Sequence, residues 1–374
     1  MNVTTAQGHR SFVLRCALVT ALIVGVMATT VPTPSAAKAR VRPTHTVMTY
    51  NVYLGANLLP LFGENDPIKL IQKAAAIFAH LELVDFRVRA VAIAKQIIEQ
   101  DPDVVALQEV SLWETAPPPR PPQFTTTYDF LQILLDELER QGHPFRSASV
   151  GETFTGTLPI DFTGTLGKFT DRNAIIVPAD RPNSELTSAN PMHGVFSAGI
   201  PITIGGAPVK VTRGWASIDV TADGRIYRLF DAHVEGFNDQ IRLAQVAELD
   251  QIMSASPYPV VLAGDLNLYP MGVRALDDAA WGILSGAGFR DGWVDAECFE
   301  PRFTAGQTDD LNNVPSILDN TVDFVLYDAD FETEPVERSC DIAGEELDDR
   351  TDTDPALWPS DHAAVIVDLR IAKP

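Results

Sequence analysis

Two spacings of apolar residues alternate along the chain. Uninterrupted apolar runs read as strands buried on both faces: His45–Asn51 (HTVMTYN), Asp103–Val110 (DVVALQEV), Asn173–Val177, Pro259–Asn267 (PVVLAGDLN), Thr321–Tyr327 (TVDFVLY) and Ala363–Ile371. Between them, apolar residues recur every three or four positions, the helical period. Asp66–His80 and Asp85–Gln100 read as helices, the second with Val88, Val91, Ala94 and Ile98 on one stripe and Asp101-Pro102 as its stop. Tyr128–Gln141 turns Leu131, Leu134, Leu135 and Leu138 inward and stops at Gly142. Asn238 is placed to cap a helix reaching about Ala255, and Val273–Ser285 is a further helix closed by Gly286 and Gly288. Val209–Val220 and Arg225–Glu235 pair as a hairpin about Asp223-Gly224. The string FTGTL occurs at Phe154 and again at Phe162, around Pro159-Ile160-Asp161; this reads as a second hairpin, with both Phe rings candidates for exposure. Strands alternating with helices predict an α/β architecture, and no linker divides Thr44–Pro374.

Several of these strands end or open on a residue that chemistry can use: Asn51, Glu109, His233, Asp265 with Asn267, Asp323, and Asp361 with His362. Asp265 and Asn267 are two apart, so in extended chain they point the same way. A carboxylate there can hold an attacking water while the amide donates to an anionic oxygen, which suits cleavage of a phosphate ester. Taken singly, each residue also has a structural account: a solvated Glu, a satisfied His, a Ser-Asp-His turn. A zinc hydrolase built on His233, Glu235 and His362 competes, without a His-rich helical motif to support it. A serine hydrolase using Ser360 lacks the Gly-x-Ser-x-Gly elbow. A non-catalytic binding module on the same fold is the third alternative.

Charge and the N-terminus add a location. His9, Arg10 and Arg15 precede an apolar run from Cys16 to Val31, and Ala37-Lys38-Ala39 has the small-x-small pattern of a cleavage site. Residues 1–39 are therefore expected to be a secretory signal peptide and residues 40–374 a single secreted domain. Loss of Arg10, Arg15 and Lys38 would leave 25 basic against 50 acidic residues, a net charge of −25. Such a surface disfavours tight nonspecific binding to nucleic acid and suits recruitment of divalent cations. Cys298 and Cys340 then remain, and an oxidising compartment predicts that they are joined. Asp341–Asp354 reads as a solvated acidic loop and Ala116–Pro122 as a stiff extended one.

Together, TYNV at Asn51, ALQEV at Glu109, DAHVE at His233, AGDLN at Asp265 and Asn267, VDFVLY at Asp323 and SDHAAV at Asp361 and His362 resemble, in this order, the endonuclease/exonuclease/phosphatase superfamily with its deoxyribonuclease I-like fold. The resemblance implies a four-layer α/β sandwich, two mixed β-sheets packed face to face with helices on the outside. It implies that Glu109 binds a divalent metal, normally magnesium, with Asn51 completing the shell and Asp361 lying at the metal and phosphate. Asp265 would orient the attacking water, Asn267 would hydrogen-bond the phosphate, and Asp323 would hold and tune His362. His233 would contact the phosphate or protonate the leaving group, and Asn173 would contact substrate. Magnitude favours such a constellation: phosphoester hydrolases remove on the order of 20 kcal/mol of barrier, whereas one positioned acid or base supplies about 3 to 5. The Asn51-Val52-Tyr53 run is similar to the opening of bacterial sphingomyelinases, while Trp358-Pro359-Ser360-Asp361-His362 departs from the motif of inositol polyphosphate phosphatases. The expected partner is thus a phosphoester substrate, a phospholipid or a nucleic acid. No obligate protein partner is implied, and transient contact with a membrane surface stays open.

Overall fold

The computed structural model describes residues 44–371 apart from 223, 270, 299–300, 329–330 and 334–339. The predicted signal peptide, 1–39, lies outside the described residues. In chain order the strands are β1 (His45–Asn51), β2 (Val104–Gln108), β3 (Leu112–Ala116), β4 (Thr125–Asp129), β5 (Phe145–Pro159), β6 (Leu166–Pro178), β7 (Leu186–Ile204) and β8 (Ala207–Ala222). They continue as β9 (Arg225–His233), β10 (Val260–Asp265), β11 (Arg290–Asp291), β12 (Asp323–Tyr327), β13 (Phe331–Thr333), β14 (Cys340–Ala343) and β15 (Ala364–Ile371). The main helices are α1 (Pro67–Leu83), α2 (Phe86–Gln100), α3 (Phe130–Arg140), α4 (Asp239–Met253) and α5 (Ala275–Gly286). Asp66, Asp85, Asp129 and Asn238 cap α1 to α4, each side chain accepting from a backbone N–H of the first turn.

Among the described residues the strands form two mixed sheets. One runs β13-β15-β1-β2-β6-β3-β4, with β14 also on β15 and β5 also on β6; the other runs β11-β12-β10-β9-β8-β7. The two-residue side-chain period decides what each face meets. On β1, Met48 and Tyr50 face α1 to α3 with Val105, Leu107 and Ile176, against Leu81, Ile93 and Leu134. Val47 on the opposite face joins Val104, Ala106 and Ile175, and these meet Ile218, Leu229, Val261, Ala263 and Val325 of the second sheet. That sheet's other face, Phe230, Leu262 and Phe324, is covered by Val246 and Leu249 of α4 and Leu284 of α5. The result is the four-layer sandwich that the family resemblance implied.

Some expectations need correction. The long strand β7 carries no uninterrupted apolar run, because it is the edge of its sheet, mostly exposed or half-buried, and broken by register shifts at Ala189/Met192 and Val195/Gly199. The expected hairpin is present, as β5 paired antiparallel with β6, but only the first FTGTL copy is strand throughout. The second forms the β5–β6 turn, so Phe162 is 69% exposed while Phe154 packs on Phe169, ring centroids 6.4 Å apart. The acidic stretch from Asp341 is not wholly a loop, since β14 pairs with β15 and buries Ile342 and Ala343. Cys298 and Cys340 are joined, their Cα atoms 6.4 Å apart.

Candidate active site

Strand register assembles the site. Antiparallel β12 sets Asp323 opposite Asp265, and parallel β9 sets His233 opposite Asp265, so three side chains stand in one row across adjacent strands. By the two-residue period each continues the inward face of its strand, following Val325, Ala263 and Leu229. Asn51 ends β1 on the same inward parity as Val47, and its Nδ2 crosses the sandwich to donate to Asp265 Oδ2 at 3.1 Å. His362 lies just before β15, with Nδ1 2.9 Å from Asp323 Oδ2.

The chain turns sharply where these strands stop. Glu109 has φ 60° and Asn267 φ 50°, left-handed conformations that cost a side-chain-bearing residue roughly 1 to 2 kcal/mol each. Glu109 is thereby aimed at the neighbouring loop, where its Oε2 accepts from Leu54 N–H at 2.7 Å. Asn267 donates from Nδ2 to Val234 O at 3.0 Å, and its N–H donates to Asp265 Oδ1 at 3.0 Å. Gly236 must be glycine for this, because a Cβ there would lie 2.9 Å from Asn267 Oδ1. Arg89, fully buried on α2, donates to Val52 O and Tyr53 O after β1 and to Pro359 O before Asp361, tying the two segments together.

The electrostatics separate the two histidines. His362 is pulled toward neutrality by burial, yet Asp323, then Asp361 and Asp265, hold it well above its ordinary value, and it is an imidazolium at neutral pH. Burial pushes His233 well below its ordinary value, helped by Arg213 and His362. Arg213 Nη1 is 3.4 Å from His233 Nδ1 and can only donate, so His233 keeps its proton on Nε2, 3.3 Å from Asp265 Oδ2. Burial and then Asp323 push Asp265 up to about 7, against His362 and the Asn51 hydrogen bond. Burial and Asp171 push Glu109 up to about 8, with Asp361 adding to the effect against Arg213.

Glu109, Asp171, Arg213, Glu235 and Asp361 line one cleft of about 310 Å³. Asn173 lies elsewhere: it is fully buried, and its Nδ2 donates to Asp231 Oδ1, which also accepts from Gln108 Nε2. Burial raises Asp231 well above its ordinary value, against the hydrogen bonds from Gln108 and Asn173. Among the described residues, Asp265, Asp323 and His362 form a group of three whose ligand atoms all lie within 4.8 Å of one another. That group is already an ion pair, its imidazolium occupying the place of a cation. The zinc alternative meets two obstacles: Arg213 covers His233 Nδ1, and Glu235 Oε1 accepts from Phe237 N–H at 2.7 Å. Ser360 Oγ donates to Asn51 O at 2.7 Å and is fully buried, a structural hydroxyl and not a nucleophile. Sequence reasoning passed over Asp171, Arg213 and Arg89. The available signal was a charge inside an otherwise apolar strand or helix face, a position tolerated only when paired.

Several solved structures share this architecture. An endonuclease/exonuclease/phosphatase family protein from Bacteroides thetaiotaomicron is 15% identical, TM-score 0.52, covering 88% of this chain and 98% of its own. One from Bacteroides vulgatus is 13% identical, TM-score 0.53, with 88% and 99% covered. The mannosyl-6-phosphatase Bt3783 of B. thetaiotaomicron is 16% identical, TM-score 0.50, with 87% and 99% covered. At these identities the likeness is one of fold, and no curated protein matches the chain in sequence. The model of the Endonuclease/Exonuclease/phosphatase family matches residues 48–362, the span that holds every strand end described above, and the chain belongs to that family.

Proposed function

We propose that the protein is a secreted, divalent-cation-dependent phosphodiesterase in which a water molecule attacks phosphorus. The observation that carries this reading is Asp265, held by Asn51 and His233 beside the His362–Asp323 ion pair, with Glu109 and Asp361 in the adjoining cleft. A base with a pKa near 7 is half available at neutral pH and still strong enough to take a proton, the compromise general-base catalysis favours. Asp265 takes the water proton as the new P–O bond forms and the P–O bond to the leaving alcohol breaks, the departing alkoxide taking its proton from solvent water. Imidazolium His362 and the neutral Nε2–H of His233 donate to the phosphate oxygens as negative charge grows on them. With its pKa depressed, His233 serves as a hydrogen-bond donor and not as the acid for the leaving group. Asn267, half-exposed beside Asp265, has a second amide hydrogen for the phosphate.

The cleft fits a metal on the chemistry of its own side chains. Glu109, Asp171 and Asp361 bring three buried or half-buried carboxyls to a cleft with one guanidinium, Arg213, and after burial itself the charges of Asp171 and Asp361 add to the upward push on Glu109. Glu109 and Asp361, both lining the cleft, offer oxygen ligands of the kind a hard cation such as magnesium takes. When bound, such a cation supplies charge neutralisation to the reacting phosphate. Secretion is supported by the basic, apolar and small-x-small succession of residues 1–39. The test is hydrolysis of an activated phosphodiester with magnesium, with and without chelator, by the wild type, His362→Ala and His233→Ala. Chelator is expected to abolish turnover and each substitution to reduce it by about 10²-fold or more; turnover indifferent to all three would refute the reading.

A further inference from the structure

The catalytic cleft does not end at its acids. Leu58, Phe62, Phe154, Phe169 and Val211 line it and also line a second cavity of about 350 Å³, so the two adjoin at an apolar waist. Beyond the waist the second cavity runs between α1 and the β5–β6 hairpin, where Ile77, Phe78 and Trp113 form one wall and Ile204 and Val209 contribute from β7 and β8. The polar side chains lining it are Thr155 and Thr157, both on the exposed side of β5. The first of these adjoining cavities thus presents Glu109, Asp361 and Arg213, and the second presents mostly hydrocarbon.

We propose that this second cavity holds the aliphatic chain of the substrate, which is therefore an amphiphilic phosphoester: a phosphate carrying one alkyl or acyl tail. The proposal rests on the phosphoesterase reading and names the substrate class for the same site. A nucleobase or a sugar would bring several donors and acceptors into a space whose lining offers the hydroxyls of Thr155 and Thr157 and otherwise apolar side chains, and each group left unpaired there weakens binding. A hydrocarbon chain carries no such groups. At roughly 30 Å³ per chain carbon, comparable to a water's share of liquid volume, the cavity takes on the order of ten carbons. Leu59 (43% exposed) and Phe237 (66%) stand at the mouth of the catalytic cleft, an apolar rim that an amphiphile can cross. The chain's overall charge of −22 opposes a polyanion and is indifferent to a single phosphate already met by Arg213 and a cation.

The experiment is a series of p-nitrophenyl alkyl phosphodiesters, methyl to dodecyl, below the concentrations at which they form micelles, with magnesium and the purified protein. Two- to fourfold gain in kcat/KM per added methylene is expected, levelling near ten carbons; fourfold corresponds to about 0.8 kcal/mol. Val209→Trp is expected to flatten the series while leaving the methyl ester turned over as before, and Val209→Ala is expected to keep the dependence. Turnover of the methyl ester with no dependence on chain length in the wild type would overturn the tail pocket and leave the phosphoesterase reading intact. If no ester is hydrolysed, that reading fails, and calorimetry of decyl against methyl phosphate decides the pocket. Tighter binding of the decyl compound, lost in Val209→Trp, supports it; equal binding overturns it.

Discussion

Replacing Asp323 by Asn keeps the size of the side chain and removes the negative charge 2.9 Å from His362 Nδ1. Burial drives His362 toward neutrality, and Asp323 is the largest of the charges that oppose it. Two unit charges about 3 Å apart interact by ~5 kcal/mol at an effective dielectric of 20. Desolvation offsets part of this, and removing one member of such a buried pair costs about 3 to 5 kcal/mol. The pH dependence has a definite sign. Because the folded pKa of His362 is raised, its contribution to stability is complete below about 6.5, the unfolded value, and is lost as pH rises through the elevated folded value. The gap in unfolding free energy between the wild type and Asp323→Asn should therefore be widest near pH 6 and narrow with increasing alkali. Urea denaturation in chelator across this range measures it, and imidazole nitrogen NMR reads the same titration directly. Turnover should fall by about 10²-fold. A stability gap independent of pH, or a wild-type His362 that titrates near 6.5, would refute the reasoning.

Four further outcomes are expected. Asp265→Asn should lower kcat by about 10²- to 10⁴-fold with KM within a few-fold and unchanged circular dichroism; a loss under tenfold would remove Asp265 as the base. Glu109, raised to about 8 by burial and Asp171, destabilises the metal-free fold as pH rises from the ordinary carboxylate range through 8, and Glu109→Gln should abolish that slope. Magnesium at ten times its Kd should add about 1.4 kcal/mol to the wild type, some 2 °C in Tm, and much less to Glu109→Gln. Gly264→Ala would put a Cβ 2.0 Å from Ala232 O, prying β9 from β10 between His233 and Asp265, and should cost about 3 kcal/mol by thermal or urea unfolding.

What the sequence disclosed follows from where the chemistry sits. Strands buried on both faces print as apolar runs, so β1, β2, β10, β12 and β15 were legible, and so was the polar residue at the end of each. The registers that put His233, Asp265 and Asp323 in a row follow from pairing partners far apart in the chain, which no local pattern states. The exposed, interrupted β7 left no periodic trace, and neither did the turn made by the second FTGTL copy. Asp171 and Arg213 were hidden for a related reason: each looks like an ordinary charge on a strand until the fold buries Asp171 and half-buries Arg213 beside Glu109. Asn173 shows the converse, a residue whose motif pointed to the substrate and whose side chain instead meets Asp231 beneath the cleft.

In the proposed reaction water, deprotonated at Asp265, attacks phosphorus with no covalent enzyme intermediate. Single-turnover hydrolysis of a phosphodiester in ¹⁸O-labelled water, with enzyme in excess and the products weighed by mass spectrometry, tests it most directly. The account predicts one ¹⁸O in the released phosphomonoester and none in the alcohol. Label in the alcohol, or an unlabelled phosphate whose new oxygen came from a protein carboxylate, would contradict it.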